Sequence, residues 1–68
     1  MMNTQTNTNT EAHRTYSQLR GAKSRDRAAW LSCAALCRAA AALEVSDDTA
    51  SALLDRAESA EMNARRLG

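Results

Sequence analysis

The stretch SCAALCRAAAAL, residues 32–43, contains a single charged side chain, that of Arg38. Alanine and leucine favour helix, and the 68-residue chain has no proline and only two glycines. These features predict an all-α fold. A helix that is apolar nearly all round is normally buried on more than one side. The stretch is therefore predicted to be a central helix that is covered by several neighbours.

The chain begins with MMNTQTNTNT, which is polar, repetitive and uncharged. Such a segment buries too little apolar surface to offset its ordering entropy, so residues 1–8 are predicted to be a disordered tail before a single helical domain, residues 9–68. No basic region followed by an apolar run marks a secretory signal, and a cytoplasmic location is expected. The longest apolar stretch, residues 28–43, is too short for a membrane span and includes Arg38.

Helix boundaries follow from capping residues. Thr8 and Glu11 fit a capping box, which predicts a helix that begins near residue 9. This helix is predicted to reach about residue 44, either broken near Gly21 or continuing through it with at most a kink. Continuity is the favoured interpretation, because an isolated glycine costs a helix only about 1 kcal/mol.

A second helix, residues 47–66, is predicted after Ser46, which is a natural N-cap. So short a link makes the two helices an antiparallel hairpin. Each helix has small or apolar residues spaced by three and four, the pattern of a coiled-coil-like seam. The seam residues are Ala29, Cys33, Leu36, Ala40 and Leu43 on the first helix, and Ala50, Leu53, Ala57, Ala60, Ala64 and Leu67 on the second.

Apolar residues outside the seam predict a further contact. Symmetric homo-oligomers are the commonest assemblies, so the favoured interpretation is a homodimer that forms a helical bundle. The alternatives are a helix of another protein in the same groove, or a subunit that is stable only within a heteromeric complex. The predicted oligomer interface consists of Trp30, Leu31, Ala34, Cys37, Ala41 and Leu54.

Cys33 and Cys37 are one helical turn apart, and His13 is the only histidine. A structural zinc site needs four ligands, which these three residues do not supply. Side chains at this spacing have Cβ atoms about 5–6 Å apart, too far for a disulfide, which needs about 3.5–4.5 Å. Both cysteines are therefore predicted to be buried core residues, and His13 a surface residue. No catalytic, cofactor or metal site is predicted, and the protein is not expected to be an enzyme.

The charges are unevenly distributed along the chain. Positive residues concentrate in residues 12–38 and negative residues in residues 39–68, although the net charge is only +1. Antiparallel packing would bring the arginines at the chain end beside the first group and make one basic end. This end is predicted to contact an acidic partner or, less favoured, nucleic acid. Its residues are Arg20, Lys23, Arg25, Arg27, Arg65 and Arg66.

These observations predict a small non-enzymatic interaction or oligomerisation module that acts by protein–protein contact. The alternative is a DNA-binding accessory protein that uses the basic end. An Asn/Thr-rich start on a short Ala/Arg-rich helical body resembles the accessory reading frames of GC-rich bacterial plasmids and phages. This resemblance of composition implies an accessory or regulatory role in bacteria.

Overall fold

The computed structural model describes residues 4–67, which form three helices and no strand. Two of the helices begin at capping side chains. The carboxylate of Asp26 accepts a hydrogen bond from the Ala29 backbone N–H at 3.1 Å, and the Ser46 hydroxyl accepts one from the Thr49 N–H at 3.4 Å. The helices are α1 (Thr4–Gly21), α2 (Arg27–Leu43) and α3 (Asp47–Leu67).

A turn separates α1 from α2, so the break near Gly21 that the sequence left open is present, and the favoured continuous or kinked helix over residues 9–44 is wrong. Lys23 has a φ of 51°, in the left-handed region. The Ser24 N–H donates to the Leu19 carbonyl at 3.0 Å, and the Lys23 N–H donates to the Arg20 carbonyl at 3.1 Å. This pair of bonds is the Schellman motif, which ends a helix and satisfies its last carbonyls. The sequence places a possible break at Gly21. In the structure the left-handed residue of the turn is Lys23, two residues later.

The first helix starts earlier than the sequence predicts. Residues 4–8 are helical, so the predicted disordered tail and the capping box at Thr8 do not describe this part of the chain. No helix-breaking residue stands between Thr4 and residue 9, and the Asn9 side-chain amide donates to the Glu44 carboxylate at 2.9 Å. This bond ties the start of α1 to the end of α2. Residues 1–3 of the predicted tail lie outside the described residues.

Contacts at the two ends of the molecule give the directions of the helices. Asn9 near the start of α1 meets Glu44 after the end of α2. At the opposite end, Arg20 of α1, Trp30 of α2 and Asn63 of α3 line one cleft. The middle helix α2 therefore runs opposite to both α1 and α3, and it packs against both of them.

The core lies where the three helices meet and consists largely of small side chains. Small residues allow helix axes to approach to the lower end of the usual range of about 8–10 Å. No helix within residues 4–67 has the length and apolar character needed to cross a membrane. The buried residues are Ala12 and Tyr16 of α1, Trp30, Cys33, Ala34, Cys37, Ala40 and Ala41 of α2, and Leu53, Ala57, Ala60 and Ala64 of α3.

The residues of the predicted seam fall into three groups. Leu43 and Leu67 stand at the ends of their helices with 47% and 37% of their surfaces exposed, so they do not belong to the core. Ala29, Leu36 and Ala50 are half-buried. The remaining seam residues are buried, namely Cys33, Ala40, Leu53, Ala57, Ala60 and Ala64.

Candidate functional site

The structure changes the predicted oligomer interface. Trp30, Ala34, Cys37 and Ala41 lie in the core of the chain itself, so assigning them to a contact with a second chain is wrong. The turn at residues 22–26 brings α1 back onto α2. Leu31 and Leu54 remain accessible, with 40% and 39% of their surfaces exposed.

Two aromatic side chains dock α1 onto α2. The rings of Tyr16 and Trp30 meet edge to face, with centroids 5.9 Å apart. The guanidinium of Arg56 lies over the Tyr16 ring, 4.8 Å from its centroid, and the Trp30 indole N–H donates to the Ser24 carbonyl at 2.9 Å. A sequence signal for this docking exists, because Ala12, Tyr16 and Leu19 recur at helical spacing.

The outer side of α2 stays exposed and is mostly apolar, with Arg38 at its edge on the α3 side. Because the buried side chains of α2 meet α1 and α3, this side points away from both helices. We call it the alanine face. Its residues are Ala28, Leu31, Ser32, Ala35, Ala39 and Ala42.

Charged residues stand beside the alanine face. Arg38 of α2 and Glu61 of α3 form an exposed two-point contact, with N–O distances of 2.6 and 3.3 Å. The hydrogen bond to Glu61 raises the pKa of Arg38 above its ordinary value. Arg27 is the first residue of α2, and Glu44 caps its end. Arg27 therefore stands at one end of the face, whereas Glu44 at the other end turns its carboxylate towards Asn9 of α1.

The two cysteines are free and buried. Burial, reinforced by the neighbouring Cys37, raises the pKa of the Cys33 thiol to about 12, and burial also raises the pKa of Cys37. Both thiols are therefore protonated at neutral pH and are poor nucleophiles. His13 is half-buried on α1. Within residues 4–67, no group of three histidine, cysteine or acidic side chains is placed to hold a metal ion.

The predicted basic residues divide between a cleft and its surroundings. A cleft of about 280 Å³ opens where α1 ends, α2 begins and α3 ends. Arg27 and Arg65 do not line this cleft. The basic cleft is lined by Arg20, Lys23, Arg25 and Arg66, together with Ser24, Trp30, Asn63 and Leu67.

The cations of the basic cleft have no carboxylate at ion-pair distance within the part of the chain that the structure describes. The ion pairs there are Glu11–Arg14 and Arg38–Glu61. The acidic residues that flank the α2–α3 link, Glu44, Asp47 and Asp48, stand at the other end of the bundle. The sequence groups the basic residues correctly at one end, but which of them converge depends on how α1 folds back.

Comparison with known proteins gives no match: no protein-family model, curated protein or solved structure matches this chain. Two surfaces of the molecule, the alanine face and the basic cleft, are the features on which a function can rest. The alanine face is an exposed, mostly apolar side of one helix. The basic cleft is a small concave site suited to an anion.

Proposed function

We propose that this protein is a small non-enzymatic interaction module that works by protein–protein contact and forms a homodimer through the alanine face. The observation that carries the proposal is the exposed apolar side of α2. The outer face of a helix in a monomer normally carries charged and polar residues. Here Ser32 is the one polar residue among six, and Leu31 is 40% exposed. A contiguous run of exposed apolar residues along one side of a helix supports its use as an interaction surface.

The alanine face is complementary to a second copy of itself. Ala28, Ala35 and Ala42 recur every seven residues along α2. A two-fold axis through Ala35 places Ala28 against Ala42 of the partner subunit, and it leaves no bulky pair in the contact. Such a contact lets the two α2 helices pack closely in the manner of a coiled coil, and the dimer becomes a helical bundle.

Charge favours the antiparallel direction of this contact. The same two-fold axis runs the two copies of α2 in opposite directions. It also places the basic end of each chain near the acidic end of the other, where Asp47 and Asp48 stand. A parallel pairing would bring like charges together. Charge complementarity of this kind fixes the orientation of a contact more than it raises its affinity.

The substitution Ala35→Glu tests the dimer. Ala35 is exposed in the single chain, so the variant should fold, but two carboxylates would face each other across the axis. Sedimentation equilibrium at several protein concentrations should show a dimer for the wild type and a monomer for Ala35→Glu, with equal helicity by circular dichroism. Ser17→Glu, at an exposed position on α1, is the matched control and should remain dimeric.

Two results would contradict the proposal. The first is a wild type that stays monomeric at every concentration. The alanine face would then bind a different protein and not a second copy of this chain. The second is an Ala35→Glu variant that dimerises as well as the wild type, which would place the contact elsewhere.

A further inference from the structure

The basic cleft is a second surface, and the proposed dimer leaves its chemistry unexplained. Its four cations come from three parts of the chain: Arg20 from the end of α1, Lys23 and Arg25 from the following turn, and Arg66 from the end of α3. We propose that this cleft binds a phosphate group of a nucleic-acid backbone. The proposal does not depend on the dimer, since each single chain holds all four cations. In the dimer, the partner's Asp47 and Asp48 would stand near this end and compete with a bound anion.

The helix dipole accounts for only two of the four cations in the basic cleft. Arg20 and Arg66 stand in the last turns of their helices, where positive charge is favourable to the helix dipole. Lys23 and Arg25 lie in the turn between helices and have no such role. Their convergence with the two arginines creates repulsion that a bound anion would relieve.

The arrangement of the cations suits phosphate better than carboxylate. Arginine and lysine both bind phosphate oxygens, arginine through two parallel hydrogen bonds and lysine as a point charge. A carboxylate has two oxygens in one plane, whereas phosphate oxygens point in tetrahedral directions. Side chains that approach from three different elements can therefore reach one phosphate from several sides.

The size of the cleft argues against a free cofactor. Pockets that enclose whole small molecules measure about 300–1,000 Å³, and this open cleft of about 280 Å³ lies near the small end of that range. It fits one charged group of a larger molecule. A lipid surface is less suitable, because membrane-binding sites pair cations with several inserted apolar side chains, and the exposed leucine in this cleft is Leu67 alone.

The aromatic residue in the cleft does not read bases. Trp30 is only 3% exposed and its indole N–H is bonded to the Ser24 carbonyl, so no base can stack on the ring. Contacts to the backbone alone position a nucleic acid without distinguishing its sequence. We therefore expect binding that is independent of sequence and sensitive to salt.

Fluorescence anisotropy with a labelled DNA duplex of mixed sequence tests the cleft. The logarithm of the binding constant falls by about 0.9 per phosphate neutralised for each tenfold rise in salt. Because each of the four cations can neutralise one phosphate, the one in the cleft or a neighbour along the strand, the wild type should show a slope of about −3.6, a loss of roughly 150-fold between about 50 and 200 mM salt. The triple variant Arg20→Gln, Lys23→Gln, Arg66→Gln keeps only Arg25 in the cleft, so it should show a slope of about −0.9 and bind weakly at all salt concentrations.

A matched control separates the cleft from overall charge. The triple variant Arg14→Gln, Arg27→Gln, Arg65→Gln removes the same charge outside the cleft and should keep most of the affinity. Lys23→Asn is a milder second variant, since asparagine tolerates a left-handed backbone, and it should reduce the slope by about 1. Circular dichroism and sedimentation of each variant show whether fold and dimer are intact, so failure of the cleft is distinguished from failure of the dimer.

Three outcomes would overturn the inference. Equal loss of affinity in both triple variants would assign the binding to overall charge. Binding of polyglutamate as tight as that of the duplex would make the cleft a site for acidic protein segments. Binding to phosphatidylglycerol vesicles with none to the duplex would make it a lipid site.

Discussion

Lys23 holds a backbone conformation that glycine adopts more easily. In the Schellman motif the residue at this position is usually glycine, because a left-handed backbone costs other residues roughly 1–2 kcal/mol. Gly21 stands two residues earlier without a positive φ, and a Cβ added there would meet no atom within 4 Å. The chain thus retains a charged side chain at a strained position, and that charge lines the basic cleft. Strained residues often serve a function at the expense of stability.

Replacing Lys23 by glycine should stabilise the fold. Relief of the left-handed strain should raise the free energy of unfolding by about 1 kcal/mol, after allowance for the added freedom of the unfolded chain. Urea unfolding followed by circular dichroism measures the change. Ala22→Gly is the control: its φ is not positive, so glycine there should lower stability by about 0.5–1 kcal/mol. An unchanged or lower stability for Lys23→Gly would show that the turn carries no strain.

The helix α1 depends on its packing more than α2 or α3 does. It is strongly polar, and an isolated helix of this length and composition is only marginally stable in water. Its contribution to the core consists of Ala12 and Tyr16, with Leu19 packed at the edge. The Tyr16 ring, held between Trp30 and Arg56, is therefore the main contact that keeps α1 helical and in place.

Tyr16→Ala should release α1 from the bundle. Loss of a buried aromatic ring costs about 3–5 kcal/mol in a core, and the penalty here should appear mainly as loss of α1 helicity. Hydrogen exchange should show fast amides in α1 and slower amides in α2 and α3. Tyr16→Phe retains the ring and should cost less than about 1 kcal/mol. Equal acceleration in all three helices would show instead that the chain unfolds as one unit.

The sequence predicts the all-helical class and the link around Ser46, because capping residues and alanine-rich composition act locally. It does not predict the turn at Lys23. The local cost of Gly21 in a helix is too small to decide between a kink and a break, and the contact of Tyr16 with Trp30, which lies across the turn, decides it. A pairing between distant segments has no signal in helix propensity.

The oligomer interface is predicted wrongly for the same reason as the turn at Lys23. With one long helix, the side of α2 that contains Ala34 and Cys37 has no partner within the chain, so a second chain is the natural inference. With α1 folded back, that side is covered, and the surface left over is the alanine face. The cleft likewise depends on where α1 and α3 end, so the sequence identifies its basic residues as a group but cannot separate Arg27 from them.

The bundle has opposite charges at its two ends, although its net charge is only +1. Its longest dimension is 38 Å, and electrostatic interactions in physiological salt decay over about 8 Å. The acidic end of the same chain therefore does little to neutralise its basic cleft. Each end acts on its surroundings as a separate charge, and the net charge understates the electrostatic attraction of the cleft for an anion.

Salt should stabilise the folded chain. Added sodium chloride screens the repulsion among the cations of the basic cleft, which the folded state holds together. We expect the melting temperature to rise by a few degrees between low and physiological salt, since roughly 4–8 °C corresponds to 1 kcal/mol for a domain of this size. The triple glutamine variant of the cleft should melt higher at low salt and respond less to salt. A melting temperature that falls with salt would show that attraction between opposite charges dominates.

The chain has one tryptophan and one tyrosine, and the fold places them in contact. Light absorbed by Tyr16 should pass efficiently to the Trp30 indole while α1 is docked, and the shielded indole should emit at a shorter wavelength than one in water. Separation of the two rings reverses both signals. The undocking of a single helix thus has its own optical signature, which requires no added label and can be followed in real time while a ligand, salt or a second copy of the chain is added.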